Sequence, residues 1–318
     1  YFHFAERALT RLLRRERIDL VHAHWILPNG YIAARAARRA GARYAVTLHG
    51  SDVFMAERSR LFGRLARRAL RDAAYVTSCS AELRDRLLRV GGAEHAAKVH
   101  LVANGTDPLP VRVGGGGWRE RLGIAPGAPL VVAAGRLVDK KGFDVLLEAA
   151  PDLRRRWPAV RIVIGGGGDL LAPLRDRARV LEVADTVSFT GGLPHAEMLE
   201  LIAAADLFVM PSVRDRRGNV DGLPVVVLEA MAASKPVVAS DVSGLPLAVQ
   251  HGATGLLVPE RDPRALAEAM AGLLADPARA RRLGEAGRRR VEEELNWSEI
   301  ARQHDELLRA ATAAGTER

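Results

Sequence analysis

The sequence predicts an α/β protein made of two parallel-sheet lobes, the first of them incomplete. Three observations carry this reading. Short apolar runs alternate with helix-forming stretches along all 318 residues, the pattern of parallel strands joined by helices. The length suits two domains of about 150 residues each. Between the halves, Pro108-Leu109-Pro110 is followed by four glycines at residues 114–117, a break of the kind that separates domains.

Taken in order, the apolar runs of the first half place strands at residues 19–22, 44–48, 74–78 and 99–103. Those of the second half place strands at residues 130–134, 160–164, 187–190, 207–210, 236–239 and 255–258. The first lobe is expected to span residues 1–111 and the second 118–295. A doubly wound lobe begins with a strand, a glycine-rich turn and a helix. This chain opens on an Arg/Leu-rich helical stretch that leads straight into Leu20-Val21-His22-Ala23-His24-Trp25. At least one strand–helix–strand unit, on the order of 30 residues, is therefore expected ahead of Tyr1, and the sequence reads as a fragment.

Composition narrows the function. The net charge is +9, and residues 1–110 hold 19 basic and 10 acidic residues, so the whole excess lies in the first half. All but four of the 47 basic residues are arginine; the lysines are Lys98, Lys140, Lys141 and Lys235. One cysteine, Cys79, permits no intrachain disulfide, which fits a reducing cytosol, and it reads as a small buried hydrophobe. No run of about 18 apolar residues spans a membrane, and the first residues lack the order of a signal peptide. Nucleic acid is disfavoured as a partner, since aromatics are few and no binding motif interleaves with the arginines. On a helical wheel residues 56–73 put Leu61, Phe62, Leu65, Ala66 and Ala69 on one side. Arg60, Arg64, Arg67 and Arg71 form an opposite stripe. That stripe is either an ordinary solvated face or a contact for anionic lipid headgroups.

Two motifs carry the chemistry. Gly135-Arg136-Leu137-Val138-Asp139-Lys140-Lys141-Gly142 leaves the strand at 130–134, placing cations at a strand end. Asp221-Gly222-Leu223-Pro224-Val225 turns into a helix that carries Glu229 one to two turns in. A Gly-Leu-Pro turn opening a helix aims free N–H groups at an anion, and proline suits the first helical turn, where its missing N–H has no partner anyway. The pair describes a site for a phosphorylated, hydroxyl-bearing ligand.

These residues resemble the retaining glycosyl transferases group 1 family, built on the GT-B fold of two Rossmann-like lobes with a cleft between them. The resemblance runs from Asp19 to Trp297, and the Val220-Asp221-Gly222-Leu223-Pro224-Val225 form looks like enzymes of surface or exopolysaccharide assembly. Asn104-Gly105-Thr106-Asp107 matches the segment before the family's linker. Asn296-Trp297-Ser298 matches the start of a last helix, residues 296–318, that returns toward the first lobe. The resemblance implies that Arg136 and Lys141 hold the donor diphosphate, with Gly222, Leu223, Pro224 and Val225 forming the turn. It implies that Glu229 binds ribose hydroxyls, that Asp221 touches the donor sugar, that His49 faces that sugar, and that the backbone near Leu193 holds the base. The family usually has Glu at position 221, and Asp reaches about one bond less. It also usually has Glu after the second Gly-Leu-Pro, where this chain has Leu247.

The implied reaction moves a sugar from a nucleoside diphosphate sugar to an acceptor hydroxyl, on a free sugar or a lipid-linked one, with retention and without a cofactor. Two alternatives stay open: a nucleotide-sugar epimerase, and a nucleotide-sugar-binding fragment without turnover. His22 and His24 lie two apart on a strand and share a face. No carboxylate or thiol is spaced to complete a metal site with them, and no Asp-x-Asp occurs, so no metal is expected. The turn at residues 165–169, four glycines and Asp169, serves either close backbone packing or ligand approach. The expected location is the cytosol, at the inner face of a membrane.

Overall fold

The computed structural model describes residues 2–108 and 117–313. Most of the expected linker, Leu109 to Gly116, lies outside the described residues. The chain forms two compact units. One is Tyr1–Ala103 together with Ile300–Arg318, and the other is Asn104–Glu299.

The first unit is built on a four-stranded parallel sheet of β1 (Leu20–His24), β2 (Arg43–Leu48), β3 (Tyr75–Ser78) and β4 (Val99–Leu101), in chain order. Strands in sequence order need a crossover helix each, and the alanine-rich helix Tyr31–Ala40 shows why one fits here. Ile32, Ala33, Ala34, Ala36 and Ala37 are all buried, because small side chains let the helix lie close to the sheet. Cys79, just past β3, is buried as expected.

The amphipathic segment at residues 56–73 departs from the single-helix expectation. It breaks at Ser59, whose hydroxyl accepts the N–H of Phe62 at 3.4 Å and so starts a new helix, Arg60–Asp72, after the helix Ser51–Arg58. Serine competes for local backbone donors and therefore favours a cap over a helix interior. Ala66 and Ala69 are buried, but Leu61 is 62% exposed and sits beside the arginines rather than in the core.

The second unit holds a six-stranded parallel sheet of β5 (Leu130–Ala134), β6 (Arg161–Gly165), β7 (Val187–Gly191), β8 (Leu207–Met210), β9 (Val237–Ser240) and β10 (Leu256–Val258). The spatial order is β10-β9-β8-β5-β6-β7. All ten expected strands form, with bounds shifted by no more than two residues. The central strands are apolar at every position but Ser240 because both faces are covered: β5, β8 and β9 are buried throughout. Helices Phe143–Arg156 and Pro263–Ala275 pack Leu146, Leu147, Leu266 and Met270 into this core.

Strand order decides where a ligand can go. From β5 the chain proceeds outward to β6 and β7, then returns to β8 on the other side of β5. The β5/β8 pair is thus the topological switch point, where loops diverge and open a crevice beyond the strand ends. Two loops meet there through a glycine. Gly142 has φ 63°, and a Cβ built on it would fall 1.9 Å from the carbonyl oxygen of Pro211. Val213 N–H donates to the Lys140 carbonyl at 3.0 Å and locks the same approach. Gly142→Ala should therefore cost about 2–4 kcal/mol, combining a left-handed backbone penalty with displacement of the Pro211 carbonyl. Denaturant unfolding measures this, and a loss below about 0.5 kcal/mol would show that the loops separate freely.

Candidate functional site

The loop after β5 and the loop after β8 bring Lys141 and Asp221 together, with Lys140 beside them. Residues Asp139–Lys141 form one short helical turn. From it Lys140 Nζ reaches Asp221 Oδ1 at 2.6 Å and Lys141 Nζ reaches Asp221 Oδ2 at 2.5 Å. The Lys141 side chain runs past Gly135 at the end of β5; a Cβ there would stand 3.2 Å from its Cε. Burial alone would raise the Asp221 carboxyl, but Lys141 and Lys140 outweigh it and hold the group below the usual carboxylate range. Arg136, beside Gly135, is exposed, and its guanidinium makes no hydrogen bond or ion pair among the described residues.

The helix after Asp221 is Val225–Ala232, and Pro224 precedes it. This corrects the expected place of the proline inside the first turn. Pro224 has ψ 115°, which is extended rather than helical, and its carbonyl accepts from Val227 N–H at 3.1 Å. The N–H groups of Val225 and Val226 then open the helix with no helical carbonyl before them. Two bonds hold the Gly222–Pro224 turn. Asn104 Nδ2 donates to the Leu223 carbonyl at 2.8 Å. Gly244 N–H, from the second Gly-Leu-Pro turn, donates to the Gly222 carbonyl at 2.9 Å.

Glu229 is the one polar side chain of that helix, and the residues around it, Val227, Leu228, Ala230 and Met231, are buried. Its carboxylate is only 13% exposed and accepts from His195 Nε2 at 2.8 Å. His195 opens the helix His195–Ala204, which follows β7 and the Leu193 turn; it was missed in the sequence, although a polar residue heading a helix at a strand's C-terminal end is a legible signal. The glycine turn after β6 serves backbone packing. A Cβ on Gly166 would lie 2.0 Å from the Gly135 carbonyl oxygen, and Leu137 N–H donates to the Gly167 carbonyl at 2.9 Å. That packing fixes the strand-end backbone flanking Arg136.

The first unit carries a separate cluster at the ends of β1 and β2. His49 Nε2 and His24 Nδ1 share a hydrogen bond of 2.9 Å. The rings of His22 and His24 stack at 5.4 Å, as their common strand face predicts, and His304 lies 5.5 Å from His22. His22 Nε2 and Thr47 Oγ1 are 2.8 Å apart. Asp52 organises the turn: its carboxylate accepts Ile26 N–H at 2.7 Å and Gly50 N–H at 2.9 Å, while burial raises its pKa. No group of three or more His, Cys, Asp or Glu among the described residues is arranged to hold a metal ion.

The comparisons with known proteins bear on this geometry. Residues 117–290 match the family model for glycosyl transferases group 1, and residues 1–108 that for Glycosyltransferase Family 4. The chain belongs to the glycosyl transferases group 1 family. It is 36% identical over 313 residues to a GDP-mannose-dependent alpha-(1-6)-phosphatidylinositol monomannoside mannosyltransferase of Mycobacterium tuberculosis, covering 96% of this chain and 80% of that protein. It is 32% identical over 310 residues to the glycogen synthase of the same organism, covering 94% of this chain and 70% of that protein. Among solved structures, Anabaena HepE in complex with UDP superposes with a TM-score of 0.82 at 23% identity, covering 96% of this chain and 82% of that one. Sucrose-phosphate synthase from Thermosynechococcus elongatus does so with 0.78 at 27% identity, covering 98% and 78%. The two parallel-sheet units thus follow the GT-B glycosyltransferase fold.

The histidine cluster makes the stability of this glycosyltransferase depend on pH. Partial burial, then the like charge of His304, His24 and His49, lowers His22 from 6.5 to about 4. Burial and His24 lower His49 and His304 in the same direction. The unfolded chain binds these protons more readily, so stability is full above about pH 6.5 and is lost as pH falls toward 4. Thermal unfolding between pH 4 and 7 should show this slope, and His304→Gln should flatten it. An unchanged slope in that variant would show that the cluster is not its source.

Proposed function

We propose that this chain transfers a sugar from a nucleoside diphosphate sugar to an acceptor hydroxyl with retention of configuration. The observation that carries the reading is the pairing of Lys141 with Asp221 at the switch point, with the unpaired guanidinium of Arg136 five residues ahead of Lys141 and the open helix start at Val225 and Val226, then Glu229, following Asp221 in the chain. Arg136 and Lys141 bind the diphosphate, and the helix N-terminus adds its partial positive charge. Glu229, oriented by His195, accepts ribose hydroxyls. Asp221 accepts a hydroxyl of the donor sugar, and the backbone near Leu193 borders the base.

Chemistry at this site is electrostatic. The acceptor oxygen attacks the anomeric carbon from the face the leaving group occupies, the bond from that carbon to the diphosphate oxygen breaks, and the acceptor proton passes to the departing phosphate. The arginine, lysine and helix N-terminus stabilise the charge that develops on that phosphate, so no metal is required. His49, hydrogen-bonded to His24, is assigned to the sugar side of the reaction. HepE was solved with UDP, and the mycobacterial relative is named as GDP-mannose-dependent; both nucleotides present a diphosphate and a ribose to bind.

Calorimetry with UDP and GDP, in EDTA, tests the donor site. Arg136→Ala and Lys141→Ala should each weaken binding by about 1.5–3 kcal/mol, the scale of hydrogen bonds to charged groups. Glu229→Gln should weaken it less, and Asp221→Asn should spare it. Unchanged affinity in both cation variants, or binding that disappears with EDTA, would remove the assignment.

The acceptor is proposed to be membrane-linked, as the relative's phosphatidylinositol substrate is. No described helix is long and apolar enough to cross a membrane, and the proposed contact is peripheral, through the first unit's arginines. The stripe on Arg60–Asp72 is narrower than its sequence implies. Arg67 donates to the Val90 carbonyl and Arg71 pairs with Asp72. Arg60 and Arg64 have no partner among the described residues, and exposed Leu61 lies beside them. Arg60→Gln with Arg64→Gln should reduce binding to anionic vesicles by about 2 kcal/mol at about 1 kcal/mol per residue, without affecting neutral ones. Equal binding to both vesicle types would assign this helix to solvent.

A further inference from the structure

We propose that Lys140 is a positioning residue for Asp221, holding one oxygen of the carboxylate while Lys141 exchanges the other for the donor diphosphate. The inference rests on the donor-site reading above and goes beyond it by giving a task to a cation that reading leaves idle.

The geometry divides the carboxylate evenly: Lys140 contacts Oδ1 at 2.6 Å and Lys141 contacts Oδ2 at 2.5 Å. The two lysines differ in what else they can reach. Lys141 lies along Gly135 at the end of β5, the residue that precedes unpaired Arg136, and the donor-site reading gives both cations to one anion. Among the described residues the Lys140 ammonium has no partner other than Asp221, and its carbonyl is bound by Val213 N–H, eight residues ahead of Asp221 on the loop after β8.

When a diphosphate draws Lys141 away, a carboxylate held by that lysine alone would lose its only partner. Removing one side of a buried ion pair is costly, because the remaining charge stays desolvated. The Asp221 side chain is 15% exposed, so this cost applies. Lys140 prevents it. Oδ1 keeps its ammonium, and Oδ2 becomes an acceptor for a sugar hydroxyl, at a distance the short aspartate side chain would otherwise leave undefined.

The residue type supports the same division. All but four of the 47 basic residues are arginine, yet two of the four lysines meet on Asp221. Guanidinium groups tend to take both oxygens of a carboxylate, whereas an ammonium is a compact point charge. Two lysines can therefore take one oxygen each, and one can leave without the other.

The test compares affinity for UDP with UDP-glucose, and for GDP with GDP-mannose, in wild type, Lys140→Met, Asp221→Asn and the double variant. Lys140→Met should lower the ratio of nucleotide-sugar to nucleoside diphosphate affinity about tenfold, the scale of one charge-assisted hydrogen bond. Asp221→Asn should do the same, and the double variant should lose no more than either single one, because the two act as a unit. In turnover, kcat for the nucleotide sugar should fall while inhibition by the free nucleoside diphosphate holds. An unchanged ratio in Lys140→Met overturns the proposal, and so do losses that multiply in the double variant. Nucleoside diphosphate affinity falling as far as in Lys141→Ala would make Lys140 a phosphate ligand instead. If Arg136→Ala and Lys141→Ala leave UDP and GDP affinity at the wild-type level, the donor site itself fails; if they weaken it and the Lys140→Met ratio stays fixed, only the positioning role fails.

Discussion

Close backbone approach at the carboxyl ends of β5, β6 and β8 is the constraint on which the donor-side geometry depends. Gly142 lets the lysine turn touch the Pro211 carbonyl, and Gly166 lets the turn after β6 touch Gly135. Neither approach tolerates a Cβ. With both made, the turn carrying Lys140 and Lys141 has little freedom left, and the side chains need only their own rotamers to meet Asp221. Backbone packing supplies the precision here; the ion pairs use it.

The site's charges fall into two kinds. Lys140, Lys141 and Asp221 neutralise one another in part, and the pairing holds Asp221 ionised against burial. Arg136 and the first N–H groups of the helix Val225–Ala232 have no such partner, so they are the strongest attraction for an anion arriving at the switch point. Glu229 stands between these kinds. It is nearly enclosed by an apolar helix, yet its carboxylate is directed by an exposed histidine, which fixes its orientation while leaving it able to accept hydroxyls.

In the first unit a buried aspartate does the work that glycines do in the second. Asp52 accepts backbone N–H groups from the loop after β1 and the loop after β2 and so ties two strand ends together. The histidines at those ends then sit within stacking distance of each other and of His304. Burial, and then the neighbouring imidazoles, disfavour protonation of His22, His49 and His304, which is the physical basis of the acid sensitivity expected for this unit.

Every strand was legible in the sequence, because an apolar run between helices is a local property. The residues of the donor motifs were legible for the same reason, each motif being a short segment leaving a strand or entering a helix. What pairs with what was not. Lys140 meets Asp221 across 81 positions and His195 meets Glu229 across 34, and Asn104 reaches Leu223 across 119. The break at Ser59 and the exposure of Leu61 likewise escaped a helical wheel, which assumes one continuous helix. These features depend on strand order and on how closely backbones approach. Local pattern therefore determined the elements and their chemistry, while only the tertiary structure decided that β5 and β8 are neighbours and that two lysines share one carboxylate.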